Sequence, residues 1–494
     1  MEILVGIDLG TTVLKAAALD ARTGAVLGQT SIRLQVDSTP GGAREQDPSA
    51  IDAAFADTIL HLRRRLGRRW RCVCGIGLAA QGGSTIIARR DTGRPLTRMV
   101  LWNDSRTLPL LSQIAASKPL AYWRKFSLRD QPGAGLARLV WLRQKRPRLL
   151  RPTNIYIGAG EYLHFRMTGL WRQDAGNALQ IGCYNVPRRD LDQRPLDLVG
   201  ANVSFFAPMR RGHEVHPLSK GAAKRLGLST DVLVAGPYMD HEAGYLSATG
   251  SSRRPLQCSL GTAWVGNFIL PEITGGRSPI QLVLPAPVGD GRLVVQPLLT
   301  GNVTWDWALK TLVHADHEKA LERVDRVFGD ELLPPCGLAS LPWLARPNPL
   351  DGEAMGGGAF LGVGPHTTSA EMLRAVAAGM CCEMSRVLEE VKSSGEVDTV
   401  VLSGGASRGR FFRATLASLF WPLPVRSVSE EDLAGVRGAV FAFSRKAAAA
   451  RTLRVRLPPR AVRRGVARGY DLYRRLFDRL YGHEAIGKAF HFGR

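Results

Sequence analysis

Gly6-Ile7-Asp8-Leu9-Gly10-Thr11-Thr12 closes an apolar run that begins at Ile3. The same device returns in mid-chain as Cys258-Ser259-Leu260-Gly261-Thr262-Ala263. Each glycine turn stands between apolar runs of strand length, so each predicts a tight β-hairpin. Such a turn presents backbone N–H groups, and small hydroxylated side chains beside it also donate to phosphate oxygens. Only the first copy carries a carboxylate, Asp8, which suits a divalent metal. Two hairpins of this kind, one per half, predict a nucleotide clamped between two related domains. The plainer alternative is two ordinary hairpins.

Working outward from the first copy, Ile3–Leu9 and Leu14–Leu19 predict a strand pair, and Asp20-Ala21-Arg22-Thr23-Gly24 a turn into a third strand over 25–34. Glu45-Gln46-Asp47-Pro48 opens a helix, with Asp47 as N-cap and Pro48 at its first position. Strands follow at Cys74–Ala80 and Ser84–Arg89, with a shorter one entering Leu101-Trp102. Three antiparallel strands, a helix and a further strand make a ribonuclease H-like opening. The second half restarts near Leu256, and there a helix over 370–390 precedes a buried strand over 397–402, a Gly-Gly turn and a helix from Phe411. The expected boundary lies in the small, polar stretch Gly250 to Pro255, giving domains of 1–250 and 251–494.

A chain of 494 residues is too long for one ordinary core. Its hydrophobic content of 45% and charged content of 22% are globular values. No apolar stretch reaches the ~18 residues of a membrane span, and no basic leader precedes Ile3, so cytoplasmic residence is expected. Seven scattered cysteines lack zinc-site spacing and fit a reducing compartment. The net charge of +23 raises nucleic acid and anionic membrane as partners. The arginines are spread along the chain without a zinc finger, basic zipper or stacking motif, so a solvated basic surface is expected instead.

Six motifs in order resemble the FGGY carbohydrate kinases, the family of xylulokinase and glycerol kinase: Asp8-Leu9-Gly10-Thr11-Thr12, Glu45-Gln46-Asp47-Pro48, Trp102-Asn103-Asp104-Ser105-Arg106, Gly236-Pro237-Tyr238-Met239-Asp240, Ser259-Leu260-Gly261-Thr262 and Ser403-Gly404-Gly405-Ala406. The resemblance runs over nearly the whole length. It implies an α/β chain of two ribonuclease H-like, actin-like ATPase domains with a cleft between them. The implied activity is transfer of the ATP γ-phosphate, with Mg2+, to a hydroxyl of a sugar or polyol.

Phosphoryl transfer to an alcohol needs a base at the hydroxyl, a metal on the phosphates, and donors that absorb charge. Asp240 follows the apolar run Val232–Ala235 and a Gly-Pro turn, which predicts a carboxylate at a strand end; it matches the family's catalytic base, and a helix cap is the plainer alternative. Asp8 matches the position that holds magnesium, directly or through water, and an ordinary hairpin-turn Asp is the plainer alternative. Thr11, Thr12 and Lys15 lie where the first hairpin meets the γ-phosphate, with a solvent-facing strand residue the equal alternative for Lys15; Gly261 and Thr262 match the second phosphate hairpin, and Gly404 and Gly405 the turn beneath the adenosine.

Departures from the family bear on the acceptor. Xylulokinases carry Gln-Met-His-Gly where this chain has Gln81-Gly82-Gly83-Ser84, and the Arg-Glu pair of glycerol kinases is also missing. The two glycines are expected to open space for a bulkier or differently placed acceptor. His241 stands where xylulokinases have Asn, and it suits a sugar hydroxyl or a structural role. Trp102 is expected to form an apolar wall of the sugar pocket, with plain core packing the alternative. The acceptor, a ketose for preference, and the oligomeric state, a homodimer among the options, are not fixed by the sequence; xylulokinase proper stays an alternative.

Two other motifs compete. Gly482 to Lys488 nearly spells a phosphate-binding loop, but Ala489 replaces the required Ser or Thr. Gly405-Ala406-Ser407-Arg408-Gly409 spells a nucleophile elbow, with Asp432 and His483 following in hydrolase order. A serine hydrolase using Ser407 would leave both hairpins, Asp8 and Asp240 without purpose. A non-catalytic actin-like nucleotide switch is the remaining rival.

Overall fold

A computed structural model describes residues 1–261, 263–271, 280–298, 300–313, 324, 328–329, 331–335, 337–344, 357–429 and 433–481. Two large sheets organise it. The first is built from β1 (Ile3–Leu9), β2 (Val13–Asp20), β3 (Val26–Arg33), β4 (Val73–Ala80), β5 (Val215–Pro217) and β6 (Leu233–Met239), in the order β5-β6-β4-β1-β2-β3. The second uses β7 (Pro255–Leu260), β8 (Trp264–Leu270), β9 (Leu282–Pro285), β10 (Arg292–Pro297), β11 (Thr399–Ser403), β12 (Val425–Val428) and β13 (Thr452–Arg454), in the order β9-β10-β8-β7-β11-β12-β13.

The two sheets share one plan. β1, β2 and β3 pair antiparallel, while β4 and β6 continue from β1 in parallel. In the second sheet β7, β8 and β10 pair antiparallel, and β11 and β12 continue in parallel from β7. This is the expected ribonuclease H-like plan, present twice. β1 is apolar almost throughout because it lies mid-sheet with both faces covered. In the outer strand β3, partly covered and exposed residues alternate beyond Gly28 instead.

Local chemistry explains the elements around them. Asp47 caps the helix Pro48–Leu66 by accepting from Ser49 N, with Pro48 at its start. That helix packs over β2 and β3. The Gly236-Pro237 pair, expected as a turn, lies inside β6. Pro237 has no N–H to give the ladder and Gly236 holds φ at 104°, so the register breaks between Ala235 and Tyr238 and the strand resumes to Met239. Only then does helix Asp240–Ala248 begin.

Two helices lie between the sheets. Asp240–Ala248 packs on β7 and β8, while Ala434–Ala439, late in the chain, packs on β1 and β4 and on Asp240–Ala248 itself. Leu4, Ala79, Tyr238, Ala243, Val436 and Ala439 share one buried cluster there. Arg437, 1% exposed, donates to Gly24 O at 3.0 Å and to Ala447 O at 2.8 Å, joining distant parts of the chain. No helix among the described residues is long and apolar enough to cross a membrane.

Candidate functional site

In the first sheet, Leu9 pairs with Ala80 and Ala80 with Met239. Three neighbouring strands therefore end side by side, releasing Gly10–Thr12, Gln81–Gly83 and Asp240-His241 at one edge. In the second sheet Ser259 pairs with Ser403, so Leu260-Gly261 and Gly404-Gly405 also leave adjacent strand ends. Gly404 holds φ at 88°, and a Cβ there would stand 2.7 Å from Leu260 C, so the two turns touch backbone to backbone. Asn302, first residue of helix Asn302–Val313, donates its backbone N–H to Gly261 O at 3.2 Å.

The first hairpin is tied to the turn after β4. Thr11 Oγ1 donates to Gln81 Oε1 at 2.9 Å, and Gln81 N donates to Leu9 O at 2.9 Å. Gln46 Nε2 donates to Thr11 O at 2.9 Å and Gln81 Nε2 to Gln46 Oε1 at 3.2 Å. Gln81 is thus buried with both ends of its amide engaged inside the protein. Trp102 Nε1 donates to Thr11 Oγ1 at 3.2 Å, and the residue is 44% exposed, so it is not part of the core. The loop that carries it is braced by Arg106, which binds Asp104 at 2.7 Å and also pairs with Glu45. Burial alone would push the Asp104 carboxyl up, but the bonds from Arg106 and Arg44 outweigh it and the carboxyl titrates low.

Asp8 and Lys15 face each other across the first hairpin, both partly exposed. A Cβ on Gly435 would stand 2.3 Å from Asp8 Oδ2, so glycine at that point of the late helix leaves the carboxylate its room. Thr12 is exposed at the hairpin tip. No group of three or more metal-binding side chains occurs among the described residues. A lone carboxylate suits magnesium carried in on phosphates, which keeps several of its own waters.

Asp240 is the first helical residue, with Met239 as the cap, and its Oδ1 accepts from His241 N at 2.9 Å. The ring of His241 turns toward the second sheet, Nδ1 lying 3.5 Å from Asn267 Nδ2. Thr262 lies outside the described residues, as do Asp432, His483 and the stretch 482–488. Ser407 is buried and donates to Gly404 O at 2.7 Å, so its hydroxyl is spent on the backbone.

The glycines Gly82 and Gly83 do not open space, contrary to expectation. A Cβ on Gly82 would stand 2.5 Å from Gln180 Nε2, and one on Gly83 would stand 2.2 Å from Gln180 Oε1. The space is filled by Gln180, carried on helix Ala175–Ile181. Behind the turn, Asn177 Oδ1 accepts from Gly83 N at 3.0 Å, and Asp174 caps the helix through Asn177 N at 2.9 Å. Asp174 belongs to a buried group with Glu161, Glu242 and Arg210. Burial first, and the neighbouring carboxylates second, push the carboxyls of Glu161 and Asp174 well up. Arg210 pairs with Glu242 at 2.9 Å.

Residues 3–247 match the N-terminal domain of the FGGY family of carbohydrate kinases, and residues 297–446 match its C-terminal domain. A xylulose kinase of Staphylococcus epidermidis is 24% identical over 445 residues, covering 89% of this chain and 87% of the relative. Among solved structures, a gluconate kinase and a ligand-bound xylulose kinase, both from Lactobacillus acidophilus, superpose with a TM-score of 0.81 each. Each of the two is 22% identical and covers 97% of this chain and 98% of the other, a likeness that establishes the fold.

Proposed function

This chain belongs to the FGGY family of carbohydrate kinases, and we propose that it transfers the γ-phosphoryl group of ATP to a hydroxyl of a sugar or polyol, with Asp240 as general base. The observation that supports this most is the shared edge of Leu9, Ala80 and Met239, which sets the hairpin, the Gln81–Gly83 turn and Asp240 side by side. Residues 1–250 would hold the acceptor and the base, and 251–494 the nucleotide.

In this reading the acceptor lies against Trp102, with one hydroxyl at the Asp240 carboxylate. As the oxygen attacks, Asp240 takes its proton, so the nucleophile gains charge only as the bond to phosphorus forms. The backbone N–H groups of Thr11 and Thr12 and the hydroxyl of Thr12, with Lys15, spread the charge of the phosphoryl oxygens, while the Thr11 hydroxyl, donated to Gln81, and the Gly10 N–H, donated to Val13 O, hold the hairpin in shape. Gly261 and Thr262 grip the phosphates from the other sheet, and Gly404 and Gly405 let the adenosine approach the backbone. Asp8 would hold Mg2+, which neutralises phosphate charge when bound. With Asn267 donating to Nδ1, the neutral ring of His241 carries its hydrogen on Nε2, a donor for an acceptor hydroxyl.

The relatives' names point to more than one acceptor, and Gln81-Gly82-Gly83 lacks the side chains that xylulokinases place there. D-xylulose is therefore expected to be a poor substrate, and another ketose or polyol a better one. A cytoplasmic enzyme fits ATP as donor. ADP release measured against ketoses, polyols and sugar acids tests the reading. Acceptor-dependent turnover supports it, and acceptor-independent ATP hydrolysis alone would favour a nucleotide switch.

A further inference from the structure

Gln180 sits where no motif of the sequence pointed. Its carboxamide lies over the Gly82-Gly83 turn, with Nε2 toward Gly82 and Oε1 toward Gly83. A Cβ on Gly83 would also stand 3.2 Å from Trp102 Cβ, and one on Gly82 would stand 3.4 Å from Met239, the residue before Asp240. The carboxamide therefore lies at the glycine turn, near the Cβ of Trp102 and near Met239, the residue before the proposed base.

Two further features make it suited to recognition. Gln180 is partly exposed, and no hydrogen bond among the described residues uses its carboxamide. Its helix is locked to the turn through Asn177 and Asp174, so the amide is held in place by its backbone while its polar atoms stay unengaged. A carboxamide offers two donors and an acceptor in one plane. Neighbouring hydroxyls on adjacent carbons offer the complementary set; a carboxylate offers acceptors only and would meet Oε1 unfavourably.

We propose that Gln180 determines acceptor specificity, binding two neighbouring hydroxyls of a neutral ketose or polyol through Oε1 and Nε2. The glycines at 82 and 83 are then the condition for this contact, since any side chain on either would occupy the carboxamide's place. The proposal rests on the kinase reading above, because it assumes that the acceptor lies beside Asp240.

The test compares wild type, Gln180→Ala and Gln180→Glu for ADP release with D-xylulose, D-ribulose, xylitol, glycerol and D-gluconate, at varied acceptor and varied MgATP. For the best neutral acceptor, Gln180→Ala should raise the acceptor KM about tenfold or more, as the loss of two hydrogen bonds does. Its KM for ATP and its kcat should stay within about threefold, a split that a general structural defect would not give. Gln180→Glu keeps the length and an acceptor oxygen but loses the donors, so it too should raise the acceptor KM. An unchanged acceptor KM in both variants overturns the proposal and leaves the kinase reading standing. A parallel loss of ATP and acceptor affinity also overturns it, by making Gln180 structural. If wild type releases ADP with none of the five acceptors, the kinase reading fails and the proposal falls with it.

Discussion

His241 Nδ1 lies 3.5 Å from Asn267 Nδ2, which ties the residue beside the candidate base to a strand of the opposite sheet. The link continues inward. Asn267 also donates to Gln257 Oε1, and Gln257 Nε2 donates to Ser403 Oγ at 2.8 Å, one residue before Gly404. A polar chain thus runs from His241, beside Asp240, to the strand end before the Gly404-Gly405 turn, through the fully buried Asn267.

Cutting that chain should cost stability. Asn267→Leu has similar volume but leaves Gln257 Oε1 without its donor and His241 without its partner. A buried acceptor left unsatisfied costs roughly 1–3 kcal/mol, so urea unfolding should show a loss in that range. A variant as stable as wild type would mean that water or a rearranged amide replaces the chain at no cost.

Asp240→Asn keeps the shape of the base but cannot take a proton at the hydroxyl. Turnover should fall by about 10²-fold or more, while the affinity for ATP, held from other elements, should change little. Turnover within a few-fold of wild type would remove Asp240 from the chemistry.

The parts legible in the sequence were those set by short-range chemistry. The Gly10 hairpin, the Asp47-Pro48 helix start and the strand ending at Ala80 are each written within a few residues. Gln180 was not legible, because its place over Gly83 depends on a helix about a hundred residues further along the chain. The Asp174 cap marks that helix, but nothing local says which turn it covers. The contact of Asn267 with His241 was hidden for the same reason, since it forms only when the two sheets meet. Gly236-Pro237 misled in another way: the pair has turn composition, yet strand pairing on both sides carries the chain through it as a bulge.

Gly83 should resist substitution for two separable reasons. Its φ of 74° is strained for any residue with a Cβ, and that Cβ would meet the Gln180 carboxamide. Gly83→Ala should lose about 1–3 kcal/mol of stability. Adding Gln180→Ala should recover the part due to contact but not the part due to φ. Converting Gly82, Gly83 and His241 to the xylulokinase residues Met, His and Asn is therefore expected to need Gln180→Ala as well before D-xylulose turnover can rise. Full recovery of stability in the Gly83→Ala, Gln180→Ala double variant would show that backbone strain contributes nothing there.

The buried carboxyls behind the turn should make stability fall as the pH rises. Burial pushes Glu161 up to about 8 from 4.5 and Asp174 up to about 7 from 3.8, with the charges of Asp174 on Glu161 and of Glu242 on Asp174 adding to it. Below the unfolded values both states hold the protons, and the groups impose no charge penalty. Between the unfolded and folded values the unfolded chain releases protons that the folded protein retains, so each rise in pH favours unfolding. Above the folded values the loss is complete. Arg210, facing Asp174 and paired with Glu242, limits the effect without reversing it. Glu161→Gln removes one titrating group and keeps the side chain's length; Asp174→Asn removes the other and keeps a helix cap. Urea unfolding at pH 5 and pH 8 should therefore differ less for each variant than for wild type. Equal differences in all three proteins would mean that the two carboxyls ionise alike in the folded and unfolded states.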